Sequence, residues 1–182
     1  MEINKTLIHR LKKQEKQFVF KHVEGQEHLN ELMSINQSVI DEQIDKSIFA
    51  PPSEDELKVS LDLDKVIVVY HDNKPIAFSI LMVCRDDERD LSRLSDHCEV
   101  NDCLTFDNVL VLKEYRGYGI EKELIKLAKD YQKRHNIKYL LAVVSKINIA
   151  SFKSFISNDF KLLKSDVDIY GSKRELVGYE LK

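Results

Sequence analysis

Apolar and polar positions along the chain change period several times, and each change marks an element. Residues 1–16 put Leu7, Ile8 and Leu11 on one side of a short helix, or else form a frayed leader. Residues 18–23 (FVFKHV) are β-branched and aromatic and predict the first strand. Over 27–43, Leu29, Leu32, Met33, Val39 and Ile40 recur near a 3.6-residue period and predict a helix. Pro51-Pro52 breaks it, and Ser53 with Glu56 forms a capping box that opens a second helix through Leu57 and Leu61. The runs 65–70 (KVIVVY) and 76–84, joined by the polar turn 71–74, predict a β-hairpin. Residues 85–101 are densely charged without periodicity and predict a mobile, solvated excursion.

The second half is more regular. A strand at 104–112 leads to a helix at 120–135. Leu124, Ile125, Leu127, Ala128 and Tyr131 supply its buried face, and Lys122, Glu123, Lys126, Lys129 and Lys133 its wet one. The apolar run 138–145 (KYLLAVVS) follows as a strand, and strand, helix and strand should form a right-handed crossover with parallel strands. Asn148 is the expected N-cap of a helix over 149–157. Strands at 160–170 and 174–181, turning at Gly171-Ser172, close the chain. The element order is β-α-α-β-β-β-α-β-α-β-β, an α/β (α+β) chain with a mixed sheet.

At 182 residues the chain suits one domain spanning 1–182. A net charge of −3 gives no argument for nucleic acid or an anionic membrane, and no apolar run is long enough for a membrane span. The N-terminus lacks the apolar core of a signal peptide, and Cys84, Cys98 and Cys103, without a CxxC pair, read as free thiols; together these imply a cytoplasmic protein. The histidines show no HxxxH pair, so no metal site is expected.

The chemistry-bearing stretch is 107–129, DNVLVLKEYRGYGIEKELIKLAK. Only five glycines occur in the chain, and Gly117 and Gly119 share one turn. Glycine permits positive φ, and a helix opening straight after such a turn offers unpaired N–H groups and the positive end of its dipole. Those features suit a phosphate or pyrophosphate, or serve an ordinary strand-to-helix turn.

With these residues in view, the chain resembles the GCN5-related N-acetyltransferase (GNAT) superfamily. The element order from Phe18 onward is the superfamily's. Arg116, Gly117-Tyr118, Gly119, Ile120 and Glu121 match its pyrophosphate motif. Val109-Leu110-Val111 stands where family strands pair their backbone with the pantetheine arm. Asn148-Ile149-Ala150-Ser151-Phe152-Lys153-Ser154-Phe155 resembles the helix beside the cofactor.

The resemblance implies a mixed sheet of about seven strands with about four helices, and a splayed parallel pair around 104–112 and 138–145. It implies acetyl-CoA (coenzyme A) as cofactor, bound by Val109, Leu110, Val111, Arg116, Gly117, Tyr118, Gly119, Ile120, Glu121, Asn148, Ser151 and Phe155. The implied function is acetyl transfer by direct attack of a primary amine, from a small-molecule partner, by a monomer or homodimer. The alternative is a catalytically silent acyl-CoA-binding or regulatory module. Four residues depart from the pattern. Glu121 replaces a Gly or Ala, Phe155 stands where many members carry a proton-donating tyrosine, Val143 stands where some carry a glutamate base, and Asp159 stands where Gly is usual. Asp107, on the strand face of Val109 and Val111, is the candidate catalytic carboxylate; His97 and Glu99 are further candidates, as is water relaying the proton to solvent, while water or Tyr170 could protonate the thiolate or the thiolate could leave unassisted.

Overall fold

The computed structural model describes the backbone of residues 4–11 and 14–15, and residues 16–42, 48–83, 85, 89–96 and 98–182 in full. Among them are eight strands and four α-helices, mixed in strand direction as expected. Two compact units divide the chain. The first draws on residues 1–42, 51–80 and 108–120, and the second on 43–50, 81–107 and 121–182.

In the first unit the strands lie in the order β1 (Asn4–Leu11), β2 (Gln14–Val23), β3 (Lys65–His71), β4 (Lys74–Met82). The leader is therefore not helical over 4–11: it is the eighth strand, antiparallel to β2 from Asn4↔Lys21 to Leu11↔Gln14. The free edge of β2 supplies a full row of hydrogen-bonding groups, and that tertiary demand outweighs a weak local helix pattern. Phe18 and Phe20 of β2, Val66, Val68 and Val69 of β3, and Ile76, Phe78 and Ile80 of β4 are all buried. The β3–β4 turn is Asp72-Asn73, with both φ angles positive, as a two-residue hairpin of right-handed twist requires. Helix α1 (Leu29–Glu42) follows a single 3-10 turn. Helix α2 (Glu54–Leu63) opens on the expected capping box, Ser53 with Glu56. The Asn36 amide donates to Pro52 O at 2.9 Å and fixes α1 to the start of α2.

Strands β4 and β5 (Cys103–Val111) each pass from one unit to the other. In the first unit, Leu112 N–H donates to Ile76 O at 3.0 Å, at the β4–β5 edge. In the second, the order is β5, β6 (Tyr139–Ser145), β8 (Ser172–Glu180), β7 (Lys161–Ile169). The β5–β6 ladder is parallel and short, running Cys103↔Tyr139, Leu104↔Leu140, Thr105↔Leu141. Both strands continue past it, to Val111 and Ser145. Within the second unit the ladder thus ends two residues short of Asp107.

Helices α3 (Ile120–Arg134) and α4 (Ile149–Ile156) complete the second unit. Leu124, Ile125, Leu127 and Ala128 of α3 are buried as expected. Glu123 and Lys129 are not on the wet face. Glu123 is buried, and Lys129 reaches Asn158 O at 2.8 Å while its ammonium lies over the Tyr179 ring. The last turn is Tyr170-Gly171 rather than Gly171-Ser172, since Ile169 pairs with Ser172 and the two positive φ angles fall on Tyr170 and Gly171. The described part of the 85–101 excursion is not simply solvated. Arg89, Asp90, Leu91 and Ser92 are buried, and Leu91 packs with Cys103, Leu141, Val167 and Leu176. Among the described residues no helix is long and apolar enough to cross a membrane. Cys98 and Cys103 are free thiols; Cys84 and His97 lie outside the described residues.

Candidate active site

In the first unit, the strand end 108–111 leads through a 3-10 turn (Lys113–Tyr115) to the glycine turn. Gly117 and Gly119 have φ of 83° and 77°, a region closed to most side chains. A Cβ built on Gly117 would meet nothing within 4 Å, so that side of the turn is open. Among the described residues, the N–H groups of Gly117, Gly119 and Ile120 make no loop bond to backbone acceptors, whereas the Arg116 N–H is taken by Lys113 O at 3.1 Å. The donor set thus starts one residue later than the motif suggests. Arg116 is also partly committed, with Nε donating to Val111 O at 3.0 Å and Nη2 lying 3.6 Å from Glu42 Oε2. Val111 therefore already accepts one bond at its carbonyl. Leu110 is buried, while Val109 and Val111 are half-buried.

Tyr118 sits in an aromatic group of the first unit. Phe18 meets Tyr115 and Tyr118 edge-on, and the Lys16 ammonium lies 4.7 and 4.9 Å from the two tyrosine ring centres. These contacts hold the turn against β2. Nothing in the motif's spacing signals them.

In the second unit, Asn148 caps α4, its side-chain oxygen accepting from Ser151 N–H at 3.2 Å. Ser151 Oγ donates to Glu121 Oε1 at 2.6 Å and so engages the motif's unusual last residue. Phe155 is 4% exposed and packs edge-on against Phe106 and Phe160, with ring centres 6.0 and 5.1 Å away. Its position is a core position here, with no hydroxyl to donate.

Asp107 lies two residues beyond the last β5–β6 pair. Its side chain is only 4% exposed, although the residue as a whole is half-buried, so the exposure falls on backbone. The carboxylate stands 3.6 Å from the Arg89 guanidinium and accepts a hydrogen bond from Tyr170 Oη at 3.2 Å. Thr105, on the same strand face, accepts from Leu91 N–H at 3.2 Å. Glu99 is drawn into the backbone, its carbonyl accepting from Asp102 N–H and the Cys103 thiol. Sequence reasoning reached Asp107 and Tyr170 separately but not Arg89, whose role depends on how the excursion folds back.

An ion-paired, hydrogen-bonded carboxylate next to a phenol can hold an ammonium group or take a proton from it. Exposed N–H groups at a helix start can hold phosphate oxygens. The donor set of the turn therefore fits the pyrophosphate of coenzyme A.

Comparison with solved structures gives the same architecture. The GNAT domain of S. lividans PAT aligns over 98% of this chain and 97% of its own, with a TM-score of 0.73 at 14% identity. An N-acetyltransferase from Staphylococcus aureus Mu50 aligns over 90% and 97%, at 0.65 and 18%. The structure of yncA from Salmonella typhimurium, with its cofactor acetyl-CoA, aligns over 91% and 94%, at 0.69 and 12%. No curated protein sequence matches. The model of the acetyltransferase (GNAT) family, whose members bind acetyl-CoA, matches residues 32–155, more than half of the chain, and the chain belongs to that family.

Proposed function

We propose that the protein is an N-acetyltransferase that moves the acetyl group of acetyl-CoA to a primary amine on a small molecule. The observation that carries this is the parted β5–β6 ladder, which ends at Thr105↔Leu141 while both strands run on. A strand whose backbone is released from its neighbour can pair with an extended ligand carrying amides. Acetyl-CoA, when bound, supplies an acetyl thioester open to attack by an amine.

In the first unit, the N–H groups of Gly117, Gly119 and Ile120 and the Arg116 side chain are proposed to hold the pyrophosphate, with Tyr118 supporting the turn. Val109, Leu110 and Val111 would offer strand-type backbone to the pantetheine arm. In the second unit, α4 contributes through Asn148, Ser151 and Phe155, with Glu121 held by Ser151. These residues shape and cap the helix; we assign them no direct chemistry.

Asp107 is proposed to orient the acceptor's ammonium and to receive its proton. Phe155 cannot protonate a leaving thiolate, so the candidate donor in the second unit is Tyr170 Oη, already bonded to Asp107. A coenzyme thiol resembles cysteine, whose ordinary pKa is about 8.5, so the thiolate is a tolerable leaving group and needs little acid assistance.

Calorimetry with acetyl-CoA tests the reading. Saturable binding is expected, and Arg116→Glu should weaken it about tenfold or more while leaving unfolding cooperative. No binding by the native chain at millimolar ligand would sink the proposal. The buried Phe155 favours one second reading, a silent acyl-CoA-binding module. Tight acetyl-CoA binding with no thiol release across a broad amine panel would select it.

A further inference from the structure

Arg174, on β8, is 5% exposed, and none of the acidic side chains among the described residues is paired with it. Its guanidinium carries five N–H donors. One of its nitrogens, Nη1, reaches the Ile48 carbonyl, at a long 3.4 Å, and Nε has no hydrogen-bond partner. Its remaining contact is the ring of Tyr170, whose centre lies 5.8 Å from Cζ. Burial pushes the group below the usual arginine range. A buried cation with so few acceptors is costly unless something completes it.

Strand register places it. Arg174 pairs with Ser145 on β6, and Ser145 shares a face with Leu141, which pairs with Thr105 on β5. Thr105 shares a face with Asp107. Side chains alternate along a strand and paired residues share a face, so Arg174 and Asp107 lie on one face of the second unit. Tyr170 joins them: its hydroxyl is on the Asp107 carboxylate, and its ring lies against the Arg174 guanidinium. Tyr170 itself is 40% exposed, at the tip of the last hairpin, so the one side chain that touches both charges reaches solvent. Asp107 is already balanced by Arg89. Among the described residues, Arg174 has no counter-charge.

We infer that Arg174 receives a carboxylate of the acceptor, so that the acceptor is an amine that also carries a carboxylate. This rests on the acetyltransferase reading above and narrows its substrate class. A guanidinium presents parallel N–H donors that match a carboxylate in two bonds, and desolvation strengthens both. The ammonium end falls to Asp107 and the carboxylate end to Arg174, with the Tyr170 side chain between the two. An acceptor without a carboxylate would leave the buried Arg174 unmatched, the usual source of strong discrimination.

Matched pairs test it: α-amino acids, β-alanine, 4-aminobutyrate and 6-aminohexanoate against their amides, with thiol release followed at saturating acetyl-CoA. At least one free acid should exceed its amide by about tenfold or more in kcat/KM. Arg174→Met should remove that preference through KM, lowering the acid by about ten- to a hundredfold and leaving the amide within about twofold. Equal loss on both members, or amides used as well as acids, overturns the assignment. Thermal unfolding gives a readout independent of turnover. Carboxylates of the panel should raise the Tm of the native chain saturably and leave Arg174→Met unmoved; no shift in the native chain overturns it. If the methionine variant does not fold, Arg174→Lys, which keeps the charge and loses the fork, should show a reduced acid preference and a reduced shift, and full retention of both counts against the proposal. Acetyl-CoA calorimetry is the separate arm. Its failure would remove the acetyltransferase reading while leaving the carboxylate shift intact, and the reverse result would remove only the role of Arg174.

Discussion

Ser151 Oγ donates to Glu121 Oε1 at 2.6 Å, tying the first turn of α4 to the first turn of α3. The bond explains how a carboxylate can close a motif that otherwise ends in Gly or Ala. Glu121 is committed to a neighbouring helix and also suits the positive end of its own helix dipole. Ser151→Ala should therefore cost about 1.5–3 kcal/mol in urea unfolding, the value of a hydrogen bond to a charged group. It should also weaken acetyl-CoA, because an uncommitted carboxylate on the residue that follows the proposed pyrophosphate turn in sequence opposes an anion. Adding Glu121→Gln to that variant should restore affinity. A double variant no better than Ser151→Ala alone would show that the carboxylate was never a threat to the ligand.

Phe155→Tyr separates packing from chemistry at the position where many family members carry a tyrosine. The ring sits between Phe106 and Phe160 in a buried place. A hydroxyl added there without a partner should cost about 1–3 kcal/mol and give no gain in kcat. A rise in kcat with unchanged stability would mean that the position reaches the reacting atoms and that this chain has lost its acid.

Local signals made much of this fold legible. The capping box at Ser53, the cap at Asn148, the two-glycine turn and the apolar stripe of α3 each reside within a few residues, and the structure places each as expected. What was not legible depends on partners distant in sequence. Strand β1 exists because β2 offers an edge. Lys129 leaves the wet face because Asn158 O and the Tyr179 ring receive it. Arg89 and Arg174 look like ordinary surface charges in sequence, and become part of a buried group only when the excursion and the last hairpin fold onto the same sheet face. The cofactor half of the candidate site is thus written locally, and the acceptor half is written in tertiary contacts.

Two glycines separate backbone strain from crowding. At Gly117, φ is 83° and an added Cβ would meet nothing, so Gly117→Ala should cost about 1–2 kcal/mol from the backbone alone. Asn tolerates this region better, so Gly117→Asn should cost less. At Gly178 the backbone is ordinary for a strand, but a Cβ would fall 2.5 Å from Leu163 Cδ1 and 3.0 Å from Leu141 Cδ2. Gly178→Ala should cost about 1–3 kcal/mol through overpacking. Adding Leu163→Val should recover part of that loss, whereas no side-chain trimming should help Gly117→Ala. Urea midpoints for the set decide the matter, and equal costs for Gly117→Ala and Gly117→Asn would count against strain at the turn.

His22 gives the first unit an acid-sensitive point. Its Nε2 is buried without a hydrogen-bond partner, and its Nδ1 lies 3.5 Å from Glu24 Oε1. Burial, helped by the nearby Lys65 ammonium and opposed by Glu24, holds its pKa below the ordinary 6.5. A histidine depressed in the folded state binds its proton more readily when unfolded. Stability is then undiminished above the unfolded value and falls as pH drops below it, until the folded group also protonates. Thermal unfolding of the native chain from about pH 7.5 to pH 5 should show Tm falling on the acid side of about 6.5. His22→Leu removes both the titration and the unpartnered nitrogen, so its Tm should fall less over the same interval, and at neutral pH it should match or exceed the native chain. Parallel Tm curves for the two proteins would assign the acid sensitivity to other groups.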